Sequence, residues 1–440
     1  MVFARKDHIK FLNRELIRQT EKYILTNQTS AIALLETDEV YSSQFIKIKD
    51  GLLILKFKNT RSVPRKGEYL TGVLINGRMS SYLNWGNITW VDLRHDHQIA
   101  FLEVKCVYHS KSEVREYSIA GFSGITQDFA NKLEPGCIVI LGPQEPPSAY
   151  LRNLIRIVSS ANNKLATDKF LDIEVTNTDW FPAVFKEKDD FPSFILTQIS
   201  LSSEVLIQGP PGTGKTNKMA ALATKLINEQ KSVLVTALTH RALIELAKKE
   251  YLKDSLAEGR VFKTNMTLDE LHELPKLQDT VDVVCQPGTL CLSTFYKVSE
   301  FASYIQEVPP FDFVIMDEAS QSFLAMFACS KLLGKNLIWI GDPYQLPPIT
   351  SIEEEEIIRN NYSPLIEGFL TICKSLAIPA FMLAESYRLS PRAAEYTSLF
   401  YTNLIKSSAK RRMVNLSYIE LNLEVRKFFH PNGGPSLIKF

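Results

Sequence analysis

The sequence from residue 204 to residue 216 is Glu204-Val-Leu-Ile-Gln208, followed by Gly209-Pro-Pro-Gly-Thr-Gly-Lys215-Thr216. The glycine-rich part fits the pattern Gly-x-x-x-x-Gly-Lys-Thr at every fixed position. The apolar run before it predicts a buried strand, and residues 218–227 after it predict a helix. This order of strand, glycine turn and helix predicts an α/β domain built on a parallel sheet with helices on both faces.

The glycine-rich turn predicts a site for a nucleoside triphosphate. Its glycines let successive backbone N–H groups turn inward around phosphate oxygens, and the following helix start adds partial positive charge. Lys215 would contact the β- and γ-phosphates, and the Thr216 hydroxyl would bind Mg²⁺. The alternative is a glycine turn that binds no ligand. The predicted phosphate-contacting residues are Gly209, Pro210, Pro211, Gly212, Thr213, Gly214, Lys215 and Thr216.

A second buried-type strand, residues 313–316, ends in the acidic pair Asp317-Glu318. An acid at the carboxyl end of a parallel strand lies at the edge of the sheet where ligands bind. We therefore predict that Asp317 holds Mg²⁺ and that Glu318 polarises the attacking water. Taken alone, such a pair is also typical of a capped helix start, and only the phosphate loop favours the catalytic interpretation.

A third strand, residues 337–340, leads into Gly341-Asp-Pro-Tyr-Gln-Leu-Pro-Pro348. Prolines stiffen this loop, and glycine permits a sharp turn out of the strand. A rigid loop at this position could hold Asp342 and Gln345 against a γ-phosphate. The alternative is a proline-rich connector with no chemical role.

Composition places the chain in the class of ordinary globular proteins. It has 440 residues, of which 45% are hydrophobic and 22% charged, and 50 basic residues balance 49 acidic ones. This excludes a largely disordered or disulfide-scaffold protein, and the net charge favours no class of partner. No apolar run approaches a membrane span, and charges occupy the start of the chain where a signal peptide would be apolar. We predict an intracellular protein without a membrane partner, cytoplasmic or, in a eukaryote, nuclear.

The first part of the chain has a different pattern. Residues 7–25 show helical spacing of apolar side chains, and the period then changes to the alternation typical of strands. Asp50-Gly51 between two such runs predicts a hairpin, because both turn positions need a positive φ. Five or more short strands with close turns predict a small β-barrel before the α/β domain.

Four segments in order resemble superfamily 1 helicases: GPPGTGKT at 209–216, DEASQ at 317–321, GDPYQLPP at 341–348 and ESYRLSP at 385–391. The resemblance is to the branch that includes the nonsense-mediated-decay and immunoglobulin-mu-binding helicases. It implies a RecA-like P-loop sheet with helices on both faces, preceded by a stalk helix and a small β-barrel and followed by a partial second RecA-like domain. The motifs cover about residues 205–401, whereas the barrel matches in pattern only.

This resemblance implies a domain order that we assign to residue ranges. The stalk helix would occupy 1–28, the β-barrel accessory domain 29–160, a linker 161–195, the first RecA-like domain 196–378 and the partial second domain 379–440. The later motifs of the family are not found before Phe440, so we expect this chain to be part of a longer protein, the alternative being a naturally shortened one.

The family also implies roles for single residues, with ATP and Mg²⁺ as cofactors. Gln345 would couple the γ-phosphate to the nucleic-acid site, Tyr387 would stack on the base, and Arg388 would reach the γ-phosphate from the second domain. An exposed salt bridge is the alternative role for Arg388. The segment Thr239-His240-Arg241 resembles the family's contact with the backbone of a single strand.

The family role is an ATP-dependent translocase or helicase on single-stranded DNA or RNA, implied to move 5′ to 3′, with a recruiting protein as a further possible partner. Two alternatives stay open: a nucleic-acid-stimulated ATPase that remodels nucleoprotein complexes without unwinding, and a non-catalytic binding module.

The sequence departs from the family at the residue that recognises the adenine base of ATP. The family's usual adenine-reading glutamine falls near Pro192, and the nearest glutamine is Gln198. Stacking by a tyrosine alone would accept other bases.

Overall fold

The computed structural model describes residues 2–58, 62–75, 84–111, 117–160, 164–176, 178–186, 189–305 and 308–409. Its strands are short, and most are followed by a helix in the second half of the chain. The strands are Val2–Phe3 (β1), Tyr41–Lys49 (β2), Leu52–Lys58 (β3), Tyr69–Ile75 (β4), Gln98–Lys111 (β5), Tyr117–Ser123 (β6), Ile138–Gly142 (β7), Ile173–Glu174 (β8), Ala183–Val184 (β9), Glu204–Gln208 (β10), Val233–Ala237 (β11), Val261–Thr264 (β12), Gln278–Thr280 (β13), Leu290–Thr294 (β14), Phe311–Met316 (β15), Gly334–Gly341 (β16), Ala380–Met382 (β17), Glu385–Ser386 (β18) and Lys406–Ser407 (β19).

The helices range from one turn to the long first helix. They are Arg5–Gln28 (α1), Ala31–Glu36 (α2), Trp90–His95 (α3), Gln127–Ala130 (α4), Ser148–Ser159 (α5), Lys164–Leu171 (α6), Phe191–Leu201 (α7), Lys215–Asn228 (α8), His240–Ala247 (α9), Lys253–Ala257 (α10), Leu268–Glu273 (α11), Phe295–Ala302 (α12), Leu324–Leu333 (α13), Glu354–Asn360 (α14), Ser363–Ile366 (α15), Gly368–Ser375 (α16) and Pro391–Ser398 (α17). Single 3-10 turns span Glu250–Leu252, Ala319–Gln321 and Leu399–Tyr401.

Nine of the described strands form one parallel sheet in the order β13-β12-β14-β11-β15-β16-β10-β17-β9. Its central strands are buried along their whole length because helices cover both faces. Successive side chains alternate between two hydrophobic cores, as Leu206 and Ile207 show on β10. The α/β class with a parallel sheet, predicted from the sequence, is confirmed.

Six of the described strands close a barrel in the order β2-β3-β6-β5-β4-β7. Asp50 and Gly51 both have positive φ in the turn between β2 and β3, as the hairpin prediction requires. The barrel contacts the α/β domain through α11. The N–H of Leu268 donates to the carbonyl of Ile125 at 2.6 Å, and Asp269 accepts from the N–H of Gly124 at 3.1 Å.

Two strands of the large sheet lie outside the range 196–378 that we assigned to the first RecA-like domain. β17 falls in the range 379–440 that we assigned to the second domain, and β9 falls in the predicted linker 161–195. Both pair in the large sheet, β17 with β10 and β9 with β17. Sheet membership depends on hydrogen bonds to distant segments, which an apolar run of two or three residues does not encode. Within the described residues, β18 and β19 pair in a separate two-stranded sheet, as do β1 and β8.

Across the described ranges, no helix combines the length and the apolar character needed to cross a membrane. All six cysteines lie within these ranges and are free thiols.

Candidate nucleotide-binding site

The phosphate loop lies between β10 and α8, as the sequence predicts. Gly212 and Gly214 both have a φ of +77°, a conformation that costs glycine nothing. The loop is anchored to the next strand, because the N–H of Gly209 donates to the carbonyl of Gly341 at 2.9 Å. Within the loop, the Thr213 hydroxyl donates to the carbonyl of Pro210 at 2.8 Å. These two hydrogen bonds hold the main chain of residues 209–214 in its curved shape, here called the cradle.

Lys215 folds back over this cradle, where its ammonium donates to the carbonyl of Gly209. Burial lowers the pKa of Lys215, and the nearby carboxylates of Asp317, Asp342 and Glu318 oppose that shift. The cation is therefore held among three acids at the carboxyl edge of the sheet. A triphosphate placed in the cradle would meet this ammonium.

The acidic pair follows β15 at the same edge. The N–H of Asp317 donates to Thr236 on the neighbouring strand at 2.8 Å, and the Asp317 carboxylate accepts from the N–H of Glu318 at 2.9 Å. Burial raises the pKa of Asp317, against the effects of that N–H group and of Lys215. Burial and the neighbouring Asp317 raise the pKa of Glu318. At both carboxyl groups burial outweighs the nearby Lys215 cation, so the ionised forms are disfavoured.

The predicted metal ligands fit a magnesium ion chemically. Thr216 offers a hydroxyl at the start of α8, and Asp317 offers a buried carboxylate whose ionised form is disfavoured by its surroundings. Mg²⁺ prefers oxygen ligands, and a divalent cation would stabilise the ionised form of Asp317.

The loop after β16 holds Asp342 nearly buried, at 1% exposure. Its carboxylate accepts from the side-chain amide of Gln345 at 3.1 Å and from the Tyr401 hydroxyl at 2.6 Å. Tyr401 lies near the end of the described chain, 59 residues after Asp342. Gln345, predicted to couple the γ-phosphate to the nucleic-acid site, is exposed, and its side-chain amide is oriented by the Asp342 carboxylate.

The segment at 385–388 packs directly on the phosphate loop. The N–H of Tyr387 donates to the carbonyl of Gly212 at 2.9 Å, and the Ser386 hydroxyl donates to the carbonyl of Pro211 at 3.0 Å. A methyl group on Gly212 would lie 2.4 Å from Cβ of Arg388, so the loop needs glycine here. The structure therefore brings Tyr387 and Arg388 to the phosphate loop.

A cleft of about 510 Å³ opens beside the loop, where the base of a nucleotide would lie. Its aromatic lining residues are Phe191, Tyr251 and Tyr387, and the ammonium of Lys218 lies 5.0 Å from the Phe185 ring centre and 5.6 Å from that of Phe191. The residues that line the cleft are Asp189, Asp190, Phe191, Pro192, Gly214, Asn217, Lys218, Ala221, Lys225, Tyr251 and Tyr387. Gln198 is not among them.

Most of these cleft residues were missed from the sequence. The sequence indicates only the start of α7, where Asp190 caps the helix and Pro192 lies in its first turn. This helix start precedes β10 by a short segment of chain. Tyr251 and Lys225 carry no pattern that marks a ligand.

The predicted strand-contact residues lie together at the start of α9, away from the phosphate loop. The Thr239 hydroxyl caps this helix by accepting from the N–H of Ala242 at 3.2 Å. His240 contacts the ammonium of Lys263 through Nδ1 at 2.8 Å. The Arg241 guanidinium is paired with Glu245 and with Glu273, the latter at 3.1 Å. All three are exposed, and Arg241 already has two carboxylate partners.

Comparisons with known proteins agree with this site. Residues 194–351 match the family model described as an AAA domain. The chain is 30% identical over 163 residues to the DNA replication ATP-dependent helicase/nuclease dna2 of Schizosaccharomyces pombe, which covers 33% of this chain and 10% of that protein. It is 31% identical over 175 residues to the corresponding DNA2 of Gallus gallus, covering 36% of this chain and 17% of that protein.

A solved arterivirus helicase, nonstructural protein 10, is similar with 12% identity and a TM-score of 0.33, covering 89% of this chain and 62% of that one. The predicted branch of nonsense-mediated-decay and immunoglobulin-mu-binding helicases stays a prediction. The chain spans under a fifth of the length of the two curated relatives named above. Residues 194–351, which match the AAA-domain model, contain the phosphate loop and the two acids that lie at one edge of the sheet.

Proposed function

We propose that this chain binds ATP with Mg²⁺ and couples ATP hydrolysis to movement along single-stranded DNA. One observation carries the proposal: the acids after β15, the Asp342 loop and the segment bearing Tyr387 and Arg388 all lie around the phosphate loop and Lys215. Phosphoryl transfer needs such positioning and charge stabilisation more than covalent chemistry from the protein.

Each residue around the phosphate loop has a chemical task in the proposal. The cradle amides and Lys215 bind the phosphates, while Thr216 and Asp317 hold Mg²⁺, which would neutralise charge on the phosphate oxygens. Glu318 orients and accepts a proton from the attacking water. Arg388 contributes a cation from a segment outside the phosphate loop, and Tyr387 stacks on the base.

The nucleic acid is proposed from the relatives and from the position of the α9 start. The relatives named above are described as DNA replication helicase/nucleases, which favours DNA over RNA. Thr239 and His240 lie at the carboxyl edge of β11, next to β15 in the sheet, so a strand bound there would be close to the acids. We propose 5′-to-3′ movement by the resemblance to the helicase family.

The test measures phosphate release from ATP with no nucleic acid, with oligothymidine and with oligouridine. We expect oligothymidine to raise turnover at least tenfold and oligouridine to raise it less. A strand-displacement assay on the same preparation separates unwinding from ATPase activity that only remodels complexes. If ATP is bound but neither oligonucleotide changes turnover, the motor proposal is wrong and a non-catalytic module is favoured.

A further inference from the structure

Lys263 is a fully buried lysine outside the nucleotide site. It lies on β12, and its side chain has 0% exposure. Lysine is almost never buried unless its charge is paired, because removing an ammonium from water is costly. Its Nζ lies 2.8 Å from Oε2 of Glu270 on α11 and 2.8 Å from Nδ1 of His240 at the start of α9. The lysine therefore joins three separate elements.

This contact determines which nitrogen of His240 carries the proton. The side chain of Lys263 donates to the carboxylate of Glu270, and an ammonium has donors but no acceptor. Nδ1 of His240 must then accept the hydrogen bond. A neutral imidazole that accepts at Nδ1 has its proton on Nε2. His240 is thus held as an Nε2–H donor.

The same surroundings keep the imidazole neutral. Burial of part of the ring and the nearby Lys263 ammonium lower the pKa of His240 to about 4. The other charged groups around the α9 start are paired among themselves: Arg241 and Lys248 on α9 with Glu245 on the same helix and with Glu273 on α11. Glu270 is paired with Lys263. Above about pH 5, His240 therefore donates without carrying a charge.

The position of His240 excludes the triphosphate as its acceptor. Three strand spacings separate β11 from β10, which precedes the phosphate loop. At about 4.8 Å each, these place the start of α9 roughly 14 Å from that loop. More than a third of His240 is nevertheless exposed, so its outer edge can reach a bound molecule.

We propose that Lys263 is a positioning residue, which holds His240 so that Nε2–H donates to a phosphate oxygen of a bound single strand. The proposal rests on the proposed function, because it takes the phosphodiester backbone as the ligand. It predicts a strand contact that does not change with pH between 5.5 and 8. Removing Lys263 takes away one of the two causes that lower the pKa of His240, so that pKa should rise from about 4 toward its ordinary value and make the contact pH-dependent.

The test compares the full chain with the variant Lys263→Met/Glu270→Gln. Glutamine at 270 can still accept from the N–H of Thr267, as Glu270 does at 3.2 Å, so the start of α11 is retained. The matched control is Lys253→Met/Glu250→Gln, which removes an exposed ion pair of the same type. Chains labelled with ¹⁵N-histidine report the tautomer and titration of His240 by NMR, with His240→Ala for assignment.

We expect the wild-type His240 to show the Nε2–H tautomer and to stay unprotonated at pH 5.5, while in the double variant His240 titrates at a higher pH than in the wild type. Fluorescent oligothymidine then reports the affinity. Relative to the control, the double variant should bind about three- to tenfold more tightly at pH 5.5 than at pH 7.5, because a charged donor bonds phosphate more strongly. Adding His240→Ala should remove this response.

Three outcomes overturn the proposal. A wild-type Nδ1–H tautomer, or the same titration in both chains, removes the role of Lys263 even if strand-stimulated turnover is normal. A pH response that survives His240→Ala shows that another group carries it. If the NMR result is as expected but no chain binds oligothymidine, the phosphodiester ligand is wrong, and the proposed function fails with it.

Discussion

Asp317 and Glu318 are consecutive residues with different surroundings. Asp317 is 7% exposed and continues the hydrogen bonding of β15, whereas Glu318 is only half-buried and has a φ of +53°. A left-handed conformation is uncommon for glutamate, and such strain concentrates at functional sites. This turn separates the two side chains after one strand. We therefore assign the metal to the buried acid and the water to the strained one.

Replacing Glu318 with Gln tests this assignment. The amide is nearly the same size but cannot accept a proton, so turnover should fall by about 10²- to 10⁴-fold while ATP affinity is retained. Turnover is measured by phosphate release and affinity by titration with a fluorescent ATP analogue. Glu300→Gln on α12, where Glu300 pairs with Lys297, is the matched control. Turnover at the wild-type rate would contradict the role of Glu318.

Site residues could be predicted from the sequence when they belong to one contiguous motif, and not when their partners lie far away along the chain. The phosphate loop and the acids were predictable because each is a contiguous motif after a strand. Lys263 and Tyr401 were not, since their partners Glu270, His240 and Asp342 come from other elements. Nor did the sequence indicate that Arg241 would be paired with two glutamates.

The first helix is attached to the segment that follows the Asp342 loop. Glu15 is fully buried, and its carboxylate accepts from the Thr350 hydroxyl at 2.5 Å and from the N–H of Ser351 at 3.0 Å. Arg14, directly before Glu15, and Arg18, one turn after Arg14, both donate to the Glu356 carboxylate on α14, at 2.9 and 3.2 Å. The helix α1 therefore fixes the end of a loop that begins at the nucleotide site.

We expect Glu15→Ala to lower the free energy of unfolding by about 2 kcal/mol, because it removes a buried carboxylate and leaves the N–H of Ser351 and the Thr350 hydroxyl without their acceptor. Urea denaturation measures the change. Glu21→Ala removes a half-exposed glutamate that pairs with Arg18 on the same helix, and should cost less than about 0.5 kcal/mol. Equal costs for the two variants would show that the contact with residues 350–351 contributes nothing.

Elements were predictable where a period ran long enough. Helical spacing over 7–25 predicted α1, which spans Arg5–Gln28, and Asp50-Gly51 predicted the hairpin of β2 and β3. The short strands β9 and β17 were not predicted, because two or three residues give no period to follow. The contact between the barrel and α11 could not be predicted either. It uses a main-chain hydrogen bond of Leu268 and the close approach of Gly51, with a φ of +75°, to Asp269.

At the scale of the molecule, the segment after β17 closes over the nucleotide site by contacts with two separate loops. Ser386 and Tyr387 bond the phosphate loop, and Tyr401 bonds Asp342. Both Tyr401 and Asp342 are nearly buried, at 5% and 1% exposure. Burial and the Asp342 carboxylate raise the pKa of Tyr401, so its hydroxyl stays protonated and donates throughout the neutral range. The segment that bears Arg388 is thus tied to the acid that orients Gln345.

Tyr401→Phe should weaken this tie without unfolding the chain, because only the hydroxyl is lost and the ring still packs beside Tyr344. If the hydrogen bond carries the coupling, strand-stimulated ATP turnover should fall about fivefold while basal turnover and ATP affinity change little. The matched control is Tyr396→Phe on α17, whose hydroxyl accepts from Arg392 at 3.0 Å on the surface. Phosphate release with and without oligothymidine gives the ratio directly. An equal fall in basal and stimulated turnover would mean that Tyr401 aligns the catalytic groups and does not transmit strand binding.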